Sequence, residues 1–262
     1  MNHQQDLAIV GSYNFALVAL SIIIAVIASS VALTLASRLR FAPAEQRFRW
    51  LLAGAISMGT GIWAMHFTGM LAYNLDMPVK YDVPTVAISY VAAIAAAAVA
   101  LNVIYRKGQT WATLITGGTL MGAGIGAMHY IGMYAMRMEA HTHYDLRFFL
   151  LSVVVAVVVA TIALWFATQT MGDDIAAGGD MFAGAVLMGM GIASMHYTAM
   201  VASSFKPADG VVGGTTFAAD LSRLWLGAIV LVTMLILGAA FRVGRGASRQ
   251  PAVSTTAVAS GD

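Results

Sequence analysis

The chain reads as a succession of long apolar runs separated by short polar ones. Seven stretches reach the roughly 20 mostly apolar residues that a membrane-crossing helix needs: 12–36, 51–73, 84–105, 111–136, 148–168, 181–204 and 224–241. Parts of two of them, 92–99 and 153–160, are apolar on every side, as lipid-facing helix surface requires. No run alternates with the two-residue period of barrel strands. The pattern predicts an all-α membrane protein with seven transmembrane helices. A short external N-terminal tail (1–11) precedes the membrane domain (12–241). A disordered cytoplasmic tail rich in Ala, Ser, Thr and Gly follows (242–262).

Composition narrows the class. Hydrophobic residues make up 60% of the chain, charged residues only 10%, and the mean hydropathy is +0.80. Soluble domains average about 25% charged residues. So few charges cannot cover a water-soluble globule of this size, which argues against a soluble enzyme and a disordered chain alike. Cysteine is absent, and with it disulfides, thiolate zinc sites, iron–sulfur clusters and a cysteine nucleophile. Basic residues set the orientation. Arg38, Arg40, Arg47, Arg49, Arg106, Lys107, Arg242, Arg245 and Arg249 fall on one side, against Lys80, Arg137, Arg147, Lys206 and Arg223 on the other. The positive-inside rule then predicts an external N-terminus and a cytoplasmic C-terminus. The loop holding Asp173, Asp174 and Asp180 is the exception: it is placed inside yet carries no basic residue. The first span lacks a basic leader and is too long for a cleaved signal peptide.

Self-comparison finds one pattern three times: Met58–Met70, Met121–Met133 and Met188–Met200, sharing M-G-x-G-I-x-x-M-H-[FY]-x-[GA]-M. The copies fall on the second, fourth and sixth spans and all run from inside to outside. Such parallel repeats are related by an axis along the membrane normal, so the architecture is three parallel two-helix repeats plus one extra helix. His66, His129 and His196 then lie at one depth in the outer half of the bilayer. At about 100° per residue, Met58, Met65, His66 and Met70 share one helix face, and the other copies match. Small-xxx-small pairs at Ala55/Gly59, Gly118/Gly122 and Ala185/Gly189 permit close helix contact and are expected to bring the three histidine faces together.

Ionisable groups inside a membrane are costly and by default functional. Neutral imidazole and thioether sulfur together suit copper, and thioethers favour Cu(I). The candidate metal ligands are His66, His129 and His196, with Met65, Met128, Met195, Met70, Met133 and Met200. Met58, Met121 and Met188, two turns inward, are expected to pack. Tyr130, Tyr197, Thr68 and Thr198 are candidate hydrogen-bonding partners that orient the rings. A repeated Met/His packing core is the plain alternative, since Met fills gaps well. His141-Thr142-His143, with Glu139 and Asp145 nearby, reads as a solvated loop more readily than as a surface metal site. His3 in the N-terminal tail carries no signal of its own. No catalytic triad or carboxylate pair is visible, and the Gly-x-Gly pairs lie within spans rather than after a strand.

At these residues the sequence resembles the MHYT domain, a bacterial integral membrane sensor module with Met-His-Tyr-Thr motifs near the outer face of three of its seven spans. The resemblance runs from about Asn14 to Arg242. Only Met195-His196-Tyr197-Thr198 is literal; Phe67 replaces the tyrosine in the first copy and Ile131 the threonine in the second. It implies a multi-pass protein of the bacterial cytoplasmic (inner) membrane. Copper is the implied cofactor, and the implied stimulus is a diatomic gas (oxygen, carbon monoxide or nitric oxide) or redox state. The implied output passes through a cytoplasmic signalling partner. Neither enzymatic activity nor a nucleic-acid partner is expected. Two alternatives remain at this stage: a bis-His haem protein of membrane electron transfer, and a metal-handling transporter with a polar path to the cytoplasm.

Overall fold

The computed structural model describes residues 9–107, 110–169, 178–212, 218–220 and 223–246. His3, Asp173, Asp174 and the tail from 247 onward lie outside the described residues. Seven helices carry the fold: α1 (Phe15–Phe41), α2 (Ala44–Ala72), α3 (Val83–Lys107), α4 (Trp111–Tyr134), α5 (Leu146–Gln169), α6 (Gly178–Ala202) and α7 (Arg223–Gly246). The shortest has 24 residues, about 36 Å at 1.5 Å per residue and longer than the hydrocarbon core. Each apolar run of the sequence falls on one helix. The match is loosest at α2, which begins at Ala44 because the polar stretch before Leu51 continues the helix beyond the apolar run.

Among the described residues, four segments are both long and apolar enough to cross a membrane: Phe15–Leu39, Val83–Val103, Leu146–Phe166 and Phe182–Ala202. Three of these lie on α1, α3 and α5, whose outward faces carry exposed Ile23, Val91 and Val154. The motif helix α2 is the least apolar, because its N-terminal turns are polar and Gly59, Thr60, His66 and Thr68 occupy its buried face. The chain is accordingly a multi-pass membrane protein.

Helices α1 to α6 form a closed ring. Each packs against its neighbour in sequence, α6 closes onto α1, and α7 lies outside against α1 and α2. Motif and outer helices therefore alternate, and glycine sets their spacing on both sides. A Cβ on Gly59 would lie 2.7 Å from the Ile94 backbone of α3, one on Gly122 2.6 Å from Val157 of α5, and one on Gly189 2.7 Å from Val26 of α1. Two residues on, Gly61, Gly124 and Gly191 abut Ala28, Ala96 and Val159 on the other flanking helix. The small-xxx-small pairs were expected to join the motif helices to one another. They fasten each motif helix to the outer ring instead, and convergence of the histidines follows from closure of the ring.

Among the described residues, the outer ends are tied by seven short strands that hydropathy does not reveal: β1 (Ser12–Tyr13), β2 (Tyr73–Asn74), β3 (Lys80–Asp82), β4 (Met136–Arg137), β5 (Ala140–Tyr144), β6 (Ser203–Pro207) and β7 (Ala218–Asp220). Pairs β1–β2, β3–β4 and β5–β6 are antiparallel, and β7 adds to β3. Each pair joins the entry of an outer helix to the exit of its motif helix. The entry residues Asn14, Asp82 and Asp145 each donate a backbone N–H, at 2.8 Å, to the carbonyl of Ala72, Ala135 and Ala202. Their side-chain oxygens cap the helices they start: Asn14 accepts from Ala16 and Leu17, Asp82 from Thr85, and Asp145 from Arg147 and Phe148. His141 and His143 lie on β5, opposite Lys206 and Ser204, so the expected loop is a paired strand.

Asp82 accepts from the Thr85 hydroxyl (2.5 Å) and backbone N–H (3.0 Å) and faces Arg137 at 3.8 Å. These contacts, Thr85 foremost, hold its carboxyl below the ordinary carboxylate value. A depressed pKa contributes stability that is full above the ordinary value of about 4 and is lost as pH falls through the folded value. Thr85→Val is expected to lower thermal stability at neutral pH and to converge with the wild-type chain in acid, measured by melting in detergent across a pH series. Two glycines test the ring. Gly122→Ala is expected to destabilise by about 1–3 kcal/mol through overpacking. Gly126, whose added Cβ meets nothing within 4 Å, is expected to tolerate alanine with a gain of about 0.5–1 kcal/mol in helix propensity. The same melts read both.

Candidate metal centre

The three motif helices meet at their histidines. His66 Nδ1 lies 3.1 Å from His196 Nδ1 and 3.1 Å from His129 Nδ1, and the third edge, His129 to His196, is 3.2 Å. All three residues are 0% exposed. Among the described residues they form the one group of His, Cys, Asp or Glu side chains that could hold a metal ion.

Protons alone cannot satisfy this triangle. A neutral imidazole nitrogen is either a donor or an acceptor. Three atoms in mutual contact cannot alternate the two roles, so at least one edge sets two N–H groups or two lone pairs against each other. Protonating a ring would place a charge in a fully buried apolar site. Three lone pairs aimed at one cation leave no such conflict. The centre of the triangle lies about 1.8 Å from each nitrogen, close to the 2.0–2.1 Å of a metal–imidazole bond. The donor set therefore fits a metal ion bound through Nδ1.

The remaining nitrogens are held by packing. All three Nε2 atoms are buried and make no hydrogen bond. The Nε2 of His196 lies against Gly69, where a Cβ would approach to 2.5 Å, and that of His66 lies against Gly132. The third equivalent position is Ala199, also fully buried. Each ring is held edge-to-face by the next residue in its own motif: Phe67, Tyr130 and Tyr197 each have their ring centroid 4.8 Å from that of the histidine. Gly69 and Gly132 thus each admit a neighbour's imidazole, and the motif aromatic packs edge-to-face on its own histidine.

A family model described as a bacterial signalling protein N-terminal repeat, MHYT, matches residues 5–47, 59–117, 122–173 and 189–255. The chain belongs to the MHYT family. It is 38% identical, over 87% of its length, to the bifunctional diguanylate cyclase/cyclic di-GMP phosphodiesterase MucR of Pseudomonas aeruginosa. It is 33% identical over 74% to the signalling protein YkoW of Bacillus subtilis. It is 32% identical over 87% to the cyclic di-GMP phosphodiesterase NbdA of P. aeruginosa. The chain spans only 33%, 24% and 29% of these relatives' own lengths. No solved structure matches it.

Within the MHYT motifs the methionines divide into two layers. Met65, Met128 and Met195, at most 1% exposed, pack in the inner core with Ile62, Ile125 and Ile192. Met70, Met133 and Met200 pack in the outer core beneath the strands. Met58, Met121 and Met188 line a small cavity, about 30 Å³, on the inner side. Its walls are wholly apolar side chains such as Ala97, Ile125 and Leu164, and it offers no polar path of the kind a transporter needs. Haem fits poorly as well. Two axial imidazoles must lie on opposite faces of a porphyrin, and three nitrogens within 3.2 Å of one another leave no room for the macrocycle.

The tyrosine hydroxyls do not orient the rings, contrary to the sequence expectation. Tyr130 bonds Ser152 of α5 at 2.7 Å and Tyr197 bonds Ser21 of α1 at 2.9 Å. Ser89 of α3 is the third equivalent serine and bonds the Val86 carbonyl. Its partner position is Phe67, so one staple is missing while the ring contact persists. The Thr68 hydroxyl is buried without a partner and Thr198 is half-buried. Glu139 and Asp145 do not join His141 and His143 in a candidate metal cluster among the described residues. Sequence reading missed Ala72, Ala135 and Ala202. They sit six residues beyond each histidine and could have been found by extending the repeat alignment past its last methionine.

Tyr130→Phe and Tyr197→Phe are each expected to cost about 1 kcal/mol of stability, the worth of one hydrogen bond, and to leave the metal content of the purified protein unchanged. Metal analysis beside thermal melts checks both halves.

Proposed function

We propose that this MHYT protein is a membrane sensor that binds one copper ion per chain through His66, His129 and His196. The carrying observation is the triangle of three buried Nδ1 atoms, which protons cannot satisfy. The methionines favour copper over zinc, although three imidazoles alone would serve zinc too. Met65, Met128 and Met195 of the inner core and Met70, Met133 and Met200 of the outer core are the candidate co-ligands, of which an ion held by three imidazoles would take one, and soft thioethers select Cu(I). Copper would supply a redox-active centre with affinity for a diatomic gas such as oxygen, carbon monoxide or nitric oxide.

The protein's own part is to hold three rings in a dry, rigid cradle and to couple their spacing to three helices. One histidine from each of the motif helices α2, α4 and α6 enters the triangle, so a change in the preferred spacing of the nitrogens acts on all three at once. Ring closure carries such a shift to their inner ends. Seven spans, an external N-terminus and a cytoplasmic-membrane location place those ends beside a cytoplasmic partner that reads the change. The relatives, named for cyclic di-GMP synthesis and breakdown or for signalling, support an output of that kind.

Elemental analysis of protein purified in detergent tests the reading. About one copper per chain is expected, falling at least tenfold when any one of the three histidines is replaced by alanine, because a buried site deprived of a ligand loses much of its affinity. Protein without metal, or with content unchanged after replacement of all three histidines, would contradict it. Zinc in place of copper would keep the site and change the stimulus.

A further inference from the structure

Above the histidines the threefold pattern breaks at the outer end of the first repeat. A pocket of about 570 Å³ opens at the outer end of the first repeat, lined by Ser12, Tyr13, Asn14, Tyr73 and Asn74 together with Met70, Met77 and Met136. Met70 is the last methionine of the first motif, one helical turn outward from His66, and is 4% exposed. Its counterparts Met133 and Met200 do not line this pocket. Met77 and Met136 belong to no motif copy: positions equivalent to Met136 hold Tyr73 and Ser203. Three thioethers therefore line one pocket, among hydroxyl, amide and tyrosine groups on one side and aliphatic side chains such as Leu17, Leu75 and Val79 on the other.

The local backbone is shaped to bring Met77 there. The turn between β2 and β3 passes through Asp76, the one described non-glycine residue with positive φ (49°). Asn74 Nδ2 donates to the Asp76 carboxylate at 3.0 Å. Asp tolerates this left-handed conformation better than most residues, and the turn folds Met77 back to the pocket wall. It also leaves an exposed carboxylate on the same turn, and negative charge there raises the local concentration of cations.

We infer that this pocket is the port through which a soft monovalent cation reaches the three histidines, with Met77 and Met136 as outer stations and Met70 handing the ion to His66. Thioether sulfur suits such a role because it binds soft cations without carrying charge. The inference rests on the proposed metal site, and silver(I), a soft monovalent cation, is the probe.

Metal-free full-length protein in lipid nanodiscs is mixed with silver(I), desalted at intervals and assayed for bound silver. The wild-type chain is expected to load to one silver per chain. The double variant Met77→Leu/Met136→Leu is expected to reach the same final content about tenfold more slowly, equivalent to about 1.4 kcal/mol on the barrier. Met138→Leu is the control, since Met138 packs in the same outer core but does not line the pocket. It is expected to load at the wild-type rate. A double variant that loads as fast as wild type would overturn the port and leave the metal site standing. So would an equal slowing by Met138→Leu, or a loss of final content in the double variant, which would make these methionines resident ligands. Failure of the wild-type chain to load would overturn both readings.

Discussion

Three imidazoles buried within 3.2 Å of one another inside a lipid-immersed bundle form an arrangement that must be built from every side. They are fully buried, and among the described residues no carboxylate or cysteine joins the group. Their positions are set by geometry alone. Glycine contacts on both flanks fix the distance of each motif helix from the outer ring, the ring closes between α6 and α1, and the three inward faces then meet at one depth. Capping strands at the outer end hold each motif helix in register with its entry helix through the same backbone hydrogen bond, made three times.

The helices and the threefold repeat were legible in the sequence because they rest on one-dimensional signals: apolar length for the helices, and Met, Gly and His spacing for the repeat. The convergence of the histidines followed from equal depth and a shared face. The partner of each glycine was not legible, since small-xxx-small spacing says that a helix approaches and not which one. The tyrosine hydroxyls were misplaced for a related reason. Tyr130 and Tyr197 sit beside histidine in sequence, but on a helix adjacent residues point about 100° apart, and their hydroxyls reach serines on α5 and α1. The strands escaped notice because segments of two to five residues at the membrane surface carry too little periodicity to register.

The first repeat departs from the other two in a coordinated way. Trp63 stands where the others have Gly126 and Ala193, and Phe67 stands where they have tyrosine. The Trp63 ring packs 4.9 Å from Phe67 and 5.3 Å from Tyr90 of α3. Helix α7 covers this side of the ring, against α1 and α2, and β7 extends the β3–β4 pair above it. A symmetric centre is thus embedded in an asymmetric surround, with one repeat presenting the seventh helix and the open outer pocket.

The central claim is that one metal ion is held by three imidazoles through Nδ1. X-ray absorption at the copper edge of the loaded protein in a bilayer examines that most directly. A first shell of three nitrogens at about 2.0 Å, with the outer-shell scattering of imidazole rings and a longer sulfur contribution, is the result predicted here. A first shell of oxygen, or of sulfur without imidazole scattering, would contradict it and return the histidines to packing.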